Sequence, residues 1–436
     1  MRDLVFTSVF VLILLAAIGR PWIGVLLCAW LGYMSPHRLC YGFAAYFPFF
    51  AVAAAVTIAS IFISSERKRF PWARETFIFL LFVLWMNVTT LFALNPPGAW
   101  FKWDQTMKTM LMVFLGMLVM AARSRLHLLV WVIVLSIEFY GVKGGIFAIL
   151  TGAQYTVQGP PRTMLENNNA LAIFMAATLP LMRYLQLNTE SRLIRQGLGV
   201  GMGLTAIAIL ASYSRGGFLA LCTTGFLLLI KSRRKWLLAG AMIVTVPLIL
   251  SLMPQEWFER MDTISEYKSD SSAMGRLEAW QFAINMAADR PLVGGGFKSF
   301  TQELFAKYIG NTHDYREPHS IFFEVLGEHG YPGLFLFLLL GVCAWRTGTW
   351  IRRVAFQRED LSWAGDLAAM SQVALASYAV GGATSTIAYF DLPYHLMAIL
   401  MLTKIAVIDE LRKADEEPEP TSEEVMITNT GAYLPT

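Results

Sequence analysis

The chain has 436 residues, of which 56% are hydrophobic and only 15% are charged, and its mean hydropathy is +0.51. A soluble domain carries about a quarter charged residues, so this composition excludes an ordinary soluble protein and indicates a multi-pass membrane protein. The net charge of +4 is small and does not indicate nucleic-acid binding. The four cysteines stand singly without CxxC spacing, which indicates neither a zinc site nor a disulfide framework.

Apolar stretches close to the length that crosses about 30 Å of hydrocarbon follow one another along the chain. The first, 4–34, lacks a small-residue cleavage site, so we expect it to be retained, and it is broken at Gly19-Arg20-Pro21. The further stretches are 42–64, 74–94, 105–122, 127–150, 168–187, 196–213, 217–230, 236–252, 332–350, 366–386 and 390–408. The pattern predicts an all-α integral membrane protein with about twelve transmembrane helices, counting 4–34 as one broken or re-entrant span.

Lysine and arginine are concentrated in alternate gaps between these stretches, among them "ERKRFPWAR", "RSR", "KSRRK" and "RTGTWIRRVAFQR". By the positive-inside rule these gaps are cytoplasmic and the intervening gaps face outward. Twelve spans then place both termini in the cytoplasm. Thirteen spans with an outside N-terminus are the alternative, because Arg2 and Asp3 cancel and orient the chain weakly.

One outward gap, from Pro254 to Pro318, is long. Within it "MGRLEAWQFAINMAADRP" predicts an amphipathic helix with Leu277, Trp280, Ile284 and Ala287 on one face, and "GGGF" predicts a turn. "SFTQELFAKYI" predicts a second short helix, and 319–329 a third that ends at "GYPG". We therefore divide the chain into an N-terminal membrane bundle (1–252), a helical cap (253–331), C-terminal membrane helices (332–410) and a disordered cytoplasmic tail (411–436).

An arginine stands in "YSRGGFLAL", where a charge is costly. Arg215 and two glycines form a predicted tight turn between two minimal spans at the outer boundary. A guanidinium there suits two-point binding of phosphate oxygens, and glycines let backbone approach a ligand. The alternative is an arginine whose head group extends to interfacial water, but positive charge is disfavoured on this side.

Other outward charges are weaker candidates for ligand binding. Arg276 and Arg290 open and close the amphipathic cap helix, where either could be a solvated charge, and Arg162 lies in the outer loop "GPPRTMLENNNALA". Lys143 lies in the outer half of a span with Glu138 near mid-depth. For that pair an internal ion pair and a ligand role are both open.

Three histidines lie in "NTHDYREPHSIFFEVLGEHG". His319 follows Pro318 at a predicted helix start, where the helix dipole disfavours imidazolium, so a neutral ring could act as a general base. Packing against the following phenylalanines is the structural alternative. His313, in polar loop, is a weaker candidate, and His329 reads as a helix-terminal residue.

Several motifs are not found in the sequence. We find no DxD or other close carboxylate pair of metal-ligand spacing on the outer side, no Walker-type loop and no GxSxG. This pattern argues against a metal-dependent transferase, an ATPase and a proton-coupled pump.

The chain resembles the O-antigen ligase and polymerase superfamily of bacterial inner-membrane glycosyltransferases. "SRGGFLAL", "GRLEAWQFAINMAADRPLVGGGF" and "PHSIFFEVLGEHGYPGLFLF", in that order and with a large outer loop before the last, resemble its core domain. "RPWIGVLLCAWLGYMSPHRLCYGFA" and "LENNNALA" resemble the branch of O-glycosylation ligases associated with exosortase systems.

The resemblance implies a GT-C-like architecture and an active site facing the periplasm. It implies transfer of a glycan from undecaprenyl pyrophosphate to an acceptor hydroxyl, in O-antigen ligases a sugar of lipid A–core, with inversion and without a metal or other cofactor. Arg215 and Arg276 match the family's arginines and would hold pyrophosphate, and His319 matches its histidine and would act as base. Polymerisation of repeat units, transfer to protein, and a transporter of lipid-linked sugars stay open as alternatives.

Overall fold

The protein is built from helices throughout the part of the chain that the structure describes. The computed structural model describes residues 1–66, 68–231, isolated positions between 235 and 251, 253–262, 271–310 and 315–416. The α-helices in these ranges are α1 (Arg2–Ala17), α2 (Pro21–Tyr33), α3 (Phe49–Ile63), α4 (Arg74–Leu91), α5 (Pro96–Val119), α6 (Arg123–Thr151), α7 (Asn168–Leu187), α8 (Arg192–Leu210), α9 (Arg215–Lys231), α10 (Gln255–Asp262), α11 (Ser271–Asp289), α12 (Gln302–Ile309), α13 (Ile321–Ala355), α14 (Ser362–Gly382) and α15 (Asp391–Glu416).

Six of the described helices, α4, α6, α7, α8, α13 and α15, are long and apolar enough to cross a membrane. The all-helical membrane fold is confirmed, whereas the count of about twelve spans is not. α2 and α3 are apolar but shorter. The predicted span 236–252 lies largely outside the described residues. α7 and α15 form the centre of the bundle, since their apolar windows are 83% and 78% buried inside the protein.

The segment α10–α12 lies at one end of the bundle, which we call the cap face. Leu94, between α4 and α5, donates its N–H to the Gly295 carbonyl at 2.9 Å. The predicted "GGGF" turn is confirmed there, since Gly294 and Gly296 have φ of +60° and +76°. A small apolar core of its own joins α11 to α12; its buried members are Ala279, Phe282, Ala283, Met286, Phe300 and Phe305.

The packed face of α11 differs from the one predicted. Ala287 is buried as expected, but Leu277 and Ile284 are 42% and 41% exposed. The buried stripe instead runs through Ala279, Phe282 and Met286. The predicted stripe is displaced from the buried one by about one residue. Apolar side chains surround much of this helix, so periodicity alone does not identify the face that packs.

Residues 4–34, predicted as one broken or re-entrant span, form two antiparallel helices. The predicted break is present, because α1 ends at Ala17 and α2 begins at Pro21. At the start of α1, Asp3 Oδ1 accepts hydrogen bonds from the N–H groups of Gly42 and Ala44, which precede α3. At the other end, Ser60 Oγ of α3 donates to the Ala17 carbonyl at 2.8 Å.

This hairpin places the N-terminus on the cap face. The Tyr33 hydroxyl, at the end of α2, is 2.9 Å from His395 Nδ1, near the start of α15. The loop before α15 is fixed to the cap face, because Ala388 N–H donates to Glu324 Oε2 at the start of α13. The arrangement agrees with the alternative topology, in which the N-terminus lies on the same side as the cap.

The predicted break between 319–329 and the following span is present inside α13. Gly330 has φ 66° and ψ −169°, which interrupts the helix. An added side chain at Gly330 would approach the carbonyls of Pro291 and Leu292, which close the end of the cap helix. At the C-terminus, α15 continues to Glu416, so the predicted disordered tail begins too early at 411; residues 417–436 lie outside the described part.

Candidate active site

Arg215 opens α9 after a tight turn. Tyr213 has φ 56°, and Ser214 Oγ accepts the N–H of Gly217 at 3.0 Å, the bond of a helix N-cap. Arg215 is therefore the first residue of the helix and lies half-buried at the cap face.

The two glycines after Arg215 have a different role from the one predicted. Both lie inside α9 and are buried. A side chain on Gly216 would collide with Thr384 Oγ1, and one on Gly217 would collide with Ala172. The glycines thus allow α9 to pack closely against its neighbours and do not bring backbone to a ligand.

The loop that contacts Gly216 also holds His319. The backbone N–H of His319 donates to Thr386 Oγ1 at 3.1 Å. His319 has φ 42°, a conformation that non-glycine residues adopt rarely, and it lies just before Ser320, the N-cap residue of α13. The loop 383–390 therefore lies between the start of α9 and His319.

Arg276 is carried to the same region by α11. Trp280 Nε1, one turn after Arg276, donates to the Pro318 carbonyl at 2.8 Å, and its ring stacks on Phe323 at 4.9 Å. These contacts fix α11 against the residues on both sides of His319. Arg316 joins the group, because a side chain on Gly275 would lie 2.5 Å from Arg316 Cδ.

The charges around His319 act on its proton affinity. Burial and the nearby guanidinium groups of Arg276 and Arg316 lower the pKa of His319, while the carboxylate of Glu317 opposes them. The lowered pKa favours the neutral imidazole near pH 7. Its cause is burial beside arginines, in addition to any effect of the helix N-terminus. A neutral imidazole can accept a proton.

A cavity of about 300 Å³ opens beside His319 on the cap face. The lining includes the two residues that precede His319 and also Thr386, which accepts the hydrogen bond from His319. Two lysines and three glutamates supply its charges. The lining residues are Asn95, Gly98, Phe101, Lys102, Lys298, Phe300, Thr301, Tyr315, Glu317, Pro318, Glu324, Glu328 and Thr386. The volume is at the lower end of the range for small-ligand pockets.

The floor of this cavity is a buried ion cluster. Lys102 Nζ lies 2.8 Å from Glu324 Oε1 and 3.0 Å from Glu328 Oε1. The side chains are only 13%, 3% and 2% exposed, in that order. Lys102 is placed by the start of α5, where Asn95 caps the helix by accepting the N–H of Gly98. The ammonium also lies over the ring of Tyr389 at 4.6 Å.

The cluster contains a carboxylate pair that the sequence analysis did not point out. Glu324 and Glu328 lie one helical turn apart. Among the described residues no group of three or more His, Cys, Asp or Glu side chains could hold a metal. The ammonium of Lys102 lies between the two carboxylates, in the position of their shared cation.

A second ion pair lies at the rim. Lys298 Nζ is 3.0 Å from Glu317 Oε1, and both side chains are almost half exposed. Burial acts to raise the pKa of Glu317, but Lys298 and more distant cations outweigh it and hold that pKa below its ordinary value. The rim carboxylate is thus charged near neutral pH.

The other predicted site residues lie elsewhere. Arg290 follows α11, roughly 21 Å along the helix from Arg276, and donates to the Phe92 carbonyl at the end of α4. Arg162 is exposed and lies over the ring of Tyr46. His313 lies outside the described residues.

Lys143 and Glu138 do not form the internal ion pair that the sequence analysis left open for them, beside a role in ligand binding. Lys143 is exposed on α6, whereas Glu138 is buried and accepts hydrogen bonds from the hydroxyls of Thr178 and Thr205. The Glu138 carboxylate is thus held by neutral hydroxyl donors. None of the contacts described for the His319 region involves Lys143.

A larger cavity, of about 770 Å³, lies at the turn before Arg215. It is bounded by that turn, the start of the α6–α7 connection, the first residue of α7 and the start of α10; its lining residues are Gln154, Thr156, Asn168, Tyr213, Pro254, Gln255 and Glu256. Open space therefore lies beside the turn before Arg215 as well as beside His319.

Arg215, Arg276 and His319 all lie in a segment that matches one family model. Residues 200–338 match the family model described as O-antigen ligase. This part of the chain is similar to the O-antigen ligase family. Residues 1–190 match a family of unknown function, DUF5935, so the exosortase likeness of the N-terminus is not confirmed. A search of the curated proteins returned no match.

Sequence reasoning missed several charged residues of this region. Arg316 and Glu317 stand next to His319 in "DYREPHS", and the four-residue spacing of Glu324 and Glu328 was also visible. No sequence signal joins them to Lys102, which lies 222 residues before Glu324 and outside residues 200–338. Only the fold brings the start of α5 next to α13.

Proposed function

We propose that this protein is an inner-membrane glycosyltransferase of the O-antigen ligase type, with its site facing the periplasm. It transfers a glycan from undecaprenyl pyrophosphate to a sugar hydroxyl of lipid A–core. The observation that carries the proposal is a neutral imidazole, His319, beside two guanidinium groups at the bundle end that carries the cap. The similarity to the O-antigen ligase family, which covers all three side chains, supports it.

In the proposed reaction Arg215 and Arg276 hold the pyrophosphate of the donor. A guanidinium binds two phosphate oxygens at once, and it stabilises the charge that develops as the lipid pyrophosphate leaves. Arg316, which lies against Gly275, adds a third cation to this side. The arginines can thereby supply the charge that a divalent ion supplies in other transferases.

His319 acts as the general base. It removes the proton from the acceptor hydroxyl while the hydroxyl oxygen forms a bond to the anomeric carbon. The bond from that carbon to the pyrophosphate oxygen breaks, and the undecaprenyl pyrophosphate leaves as an anion bound by arginine. Because attack and departure take place on opposite faces of the sugar, the anomeric configuration inverts.

The test is single-turnover transfer by purified protein given lipid-linked glycan and lipid A–core. His319→Gln keeps hydrogen-bonding capacity but cannot take up a proton, so transfer should fall by about 10²–10⁴-fold with donor affinity retained. Arg215→Ala should weaken donor binding as well. Arg215→Lys should rescue it poorly, because an ammonium binds phosphate as a point charge.

His127→Gln is the matched control for His319→Gln. His127 is also a partly buried histidine, but it lies near the start of α6, beside Tyr184 and Trp131. The control should transfer at the parental rate. A near-parental rate for His319→Gln would refute the role of His319 as general base. If the glycan were transferred to protein or to a growing polymer and not to lipid A–core, the proposed acceptor would be wrong.

A further inference from the structure

The cavity beside His319 has the opposite electrostatic character from the arginine side. Three carboxylates and two ammonium groups line it, which leaves an excess of one negative charge. Arg276 and Arg316 also lie near His319. His319 is therefore close both to a group of arginines, suited to pyrophosphate, and to a cavity whose net charge disfavours anions.

The carboxylates of the floor are fixed in position and retain capacity for a ligand. Glu328 Oε1 accepts the backbone N–H of Lys298 at 2.8 Å, and Glu324 Oε2 accepts that of Ala388 at 3.0 Å. With the bonds from Lys102, these contacts lock both side chains without using every lone pair. Charged acceptors of this kind bind hydroxyl or ammonium donors strongly.

Aromatic side chains complete the lining. Phe101, on the same helix as Lys102, is 66% exposed at the mouth, and Tyr315 is 50% exposed. Pockets for small ligands combine such apolar surfaces with a few fixed polar groups. A sugar ring presents both an apolar face and hydroxyl donors.

We propose that this cavity binds the acceptor as a single sugar ring that is uncharged or carries an amine, and that it excludes a ring carrying phosphate. Glu324 and Glu328 accept hydrogen bonds from the ring's hydroxyls, Phe101 covers its apolar face, and Glu317 sets the charge preference at the rim. Calling this ring the acceptor rests on the proposed function. The charge preference itself rests only on the cavity.

Saturation-transfer NMR on purified protein tests the preference without requiring transfer. The protein is kept in phosphatidylcholine nanodiscs, since glycoside detergents would compete. The probes are methyl glucoside, methyl glucosaminide and glucose 6-phosphate. The first two should bind, and glucose 6-phosphate should bind at least about tenfold more weakly, because like charge at a binding site is strongly disfavoured.

Substitutions at two exposed residues of the lining, Phe101 and Glu317, probe the cavity with little risk to folding. Phe101→Ala should weaken binding of methyl glucoside. Phe77→Ala, a phenylalanine of α4 with a similar exposure of 64%, is the matched control and should have no effect. Glu317→Lys should reduce the discrimination against glucose 6-phosphate, because it reverses the charge at the rim.

The outcomes separate this inference from the proposed function. Equal binding of glucose 6-phosphate and methyl glucoside, or no saccharide binding at all, would overturn the cavity assignment, while His319-dependent transfer could still be measured. Saccharide binding with the expected preference, in protein that transfers no glycan to any hydroxyl, would refute the proposed function and leave the charge preference standing.

Discussion

Lys102→Met tests the buried ion cluster beneath the candidate site. The substitution keeps a long side chain on α5 but removes the only cation within salt-bridge distance of Glu324 and Glu328 in the described part of the chain. Both carboxylates are at most 3% exposed, so they depend on the ammonium for most of their charge compensation. Removing one partner of a buried ion pair costs about 3–5 kcal/mol.

That cost is large enough to measure. A loss of about 3 kcal/mol reduces the equilibrium constant for folding on the order of a hundredfold. Unfolding of purified protein is followed by intrinsic tryptophan fluorescence against temperature or denaturant. We expect Lys102→Met to unfold at clearly lower temperature.

Lys108→Met is the matched control on the same helix. Lys108 pairs with Asp104, but the two side chains are 55% and 53% exposed. Such surface pairs contribute about 0–1 kcal/mol, so this variant should unfold close to the parent. If Lys102→Met also unfolded like the parent, the ammonium would not be a required buried partner of the two carboxylates.

Three further outcomes are expected. Transfer should decline at acid pH as His319 protonates, and Arg316→Gln should move that decline to higher pH while Glu317→Gln moves it to lower pH, because they remove charges of opposite sign. Gly216→Ala should destabilise the protein by about 1–3 kcal/mol in the same unfolding assay, because its methyl group collides with Thr384. Transfer should persist in excess EDTA, and restoration by added magnesium after a loss would contradict the proposed role of the arginines.

Hydropathy and turn chemistry predicted the large elements well. The long apolar stretches that became α4, α6, α7 and α8 carry a strong local signal, and so does the break at Gly330. Glycine at that position is required locally, since φ is positive and two carbonyls lie close by. Such features depend on residues near each other in sequence.

The direction of short apolar segments could not be predicted in the same way. α1 and α2 have low net charge at their ends, so neither loop bias nor length decides whether 4–34 crosses once or turns back. The contacts of Asp3 with the loop before α3, and of Ala17 with Ser60, decide it. Both are tertiary contacts between segments about 40 residues apart.

The candidate site was predictable in part for the same reason. His319 and Arg215 stand out because a charge or a histidine is unusual where they lie in the sequence. No local pattern in the sequence joins Lys102 to its two carboxylate partners, which lie 222 and 226 residues later. Only the tertiary structure places the start of α5 next to α13.

A gain in folding stability does not by itself explain why Lys102, Glu324 and Glu328 form a buried ion cluster. Replacing a buried ion group by neutral side chains of similar volume is often neutral or stabilising. The triple variant Lys102→Met/Glu324→Gln/Glu328→Gln keeps an acceptor oxygen for the backbone N–H groups of Lys298 and Ala388. It should therefore recover most of the stability that Lys102→Met loses.

The same triple variant should bind methyl glucoside weakly and lose the discrimination against glucose 6-phosphate, because the fixed charges of the floor are gone. Recovered stability together with lost binding would show that the charges serve the ligand. If the triple variant instead unfolded as readily as Lys102→Met, the ion pairs themselves would be needed to hold the start of α5 at α13. Since ionisable groups at membrane boundaries are costly and normally face a polar cavity, we expect the first outcome.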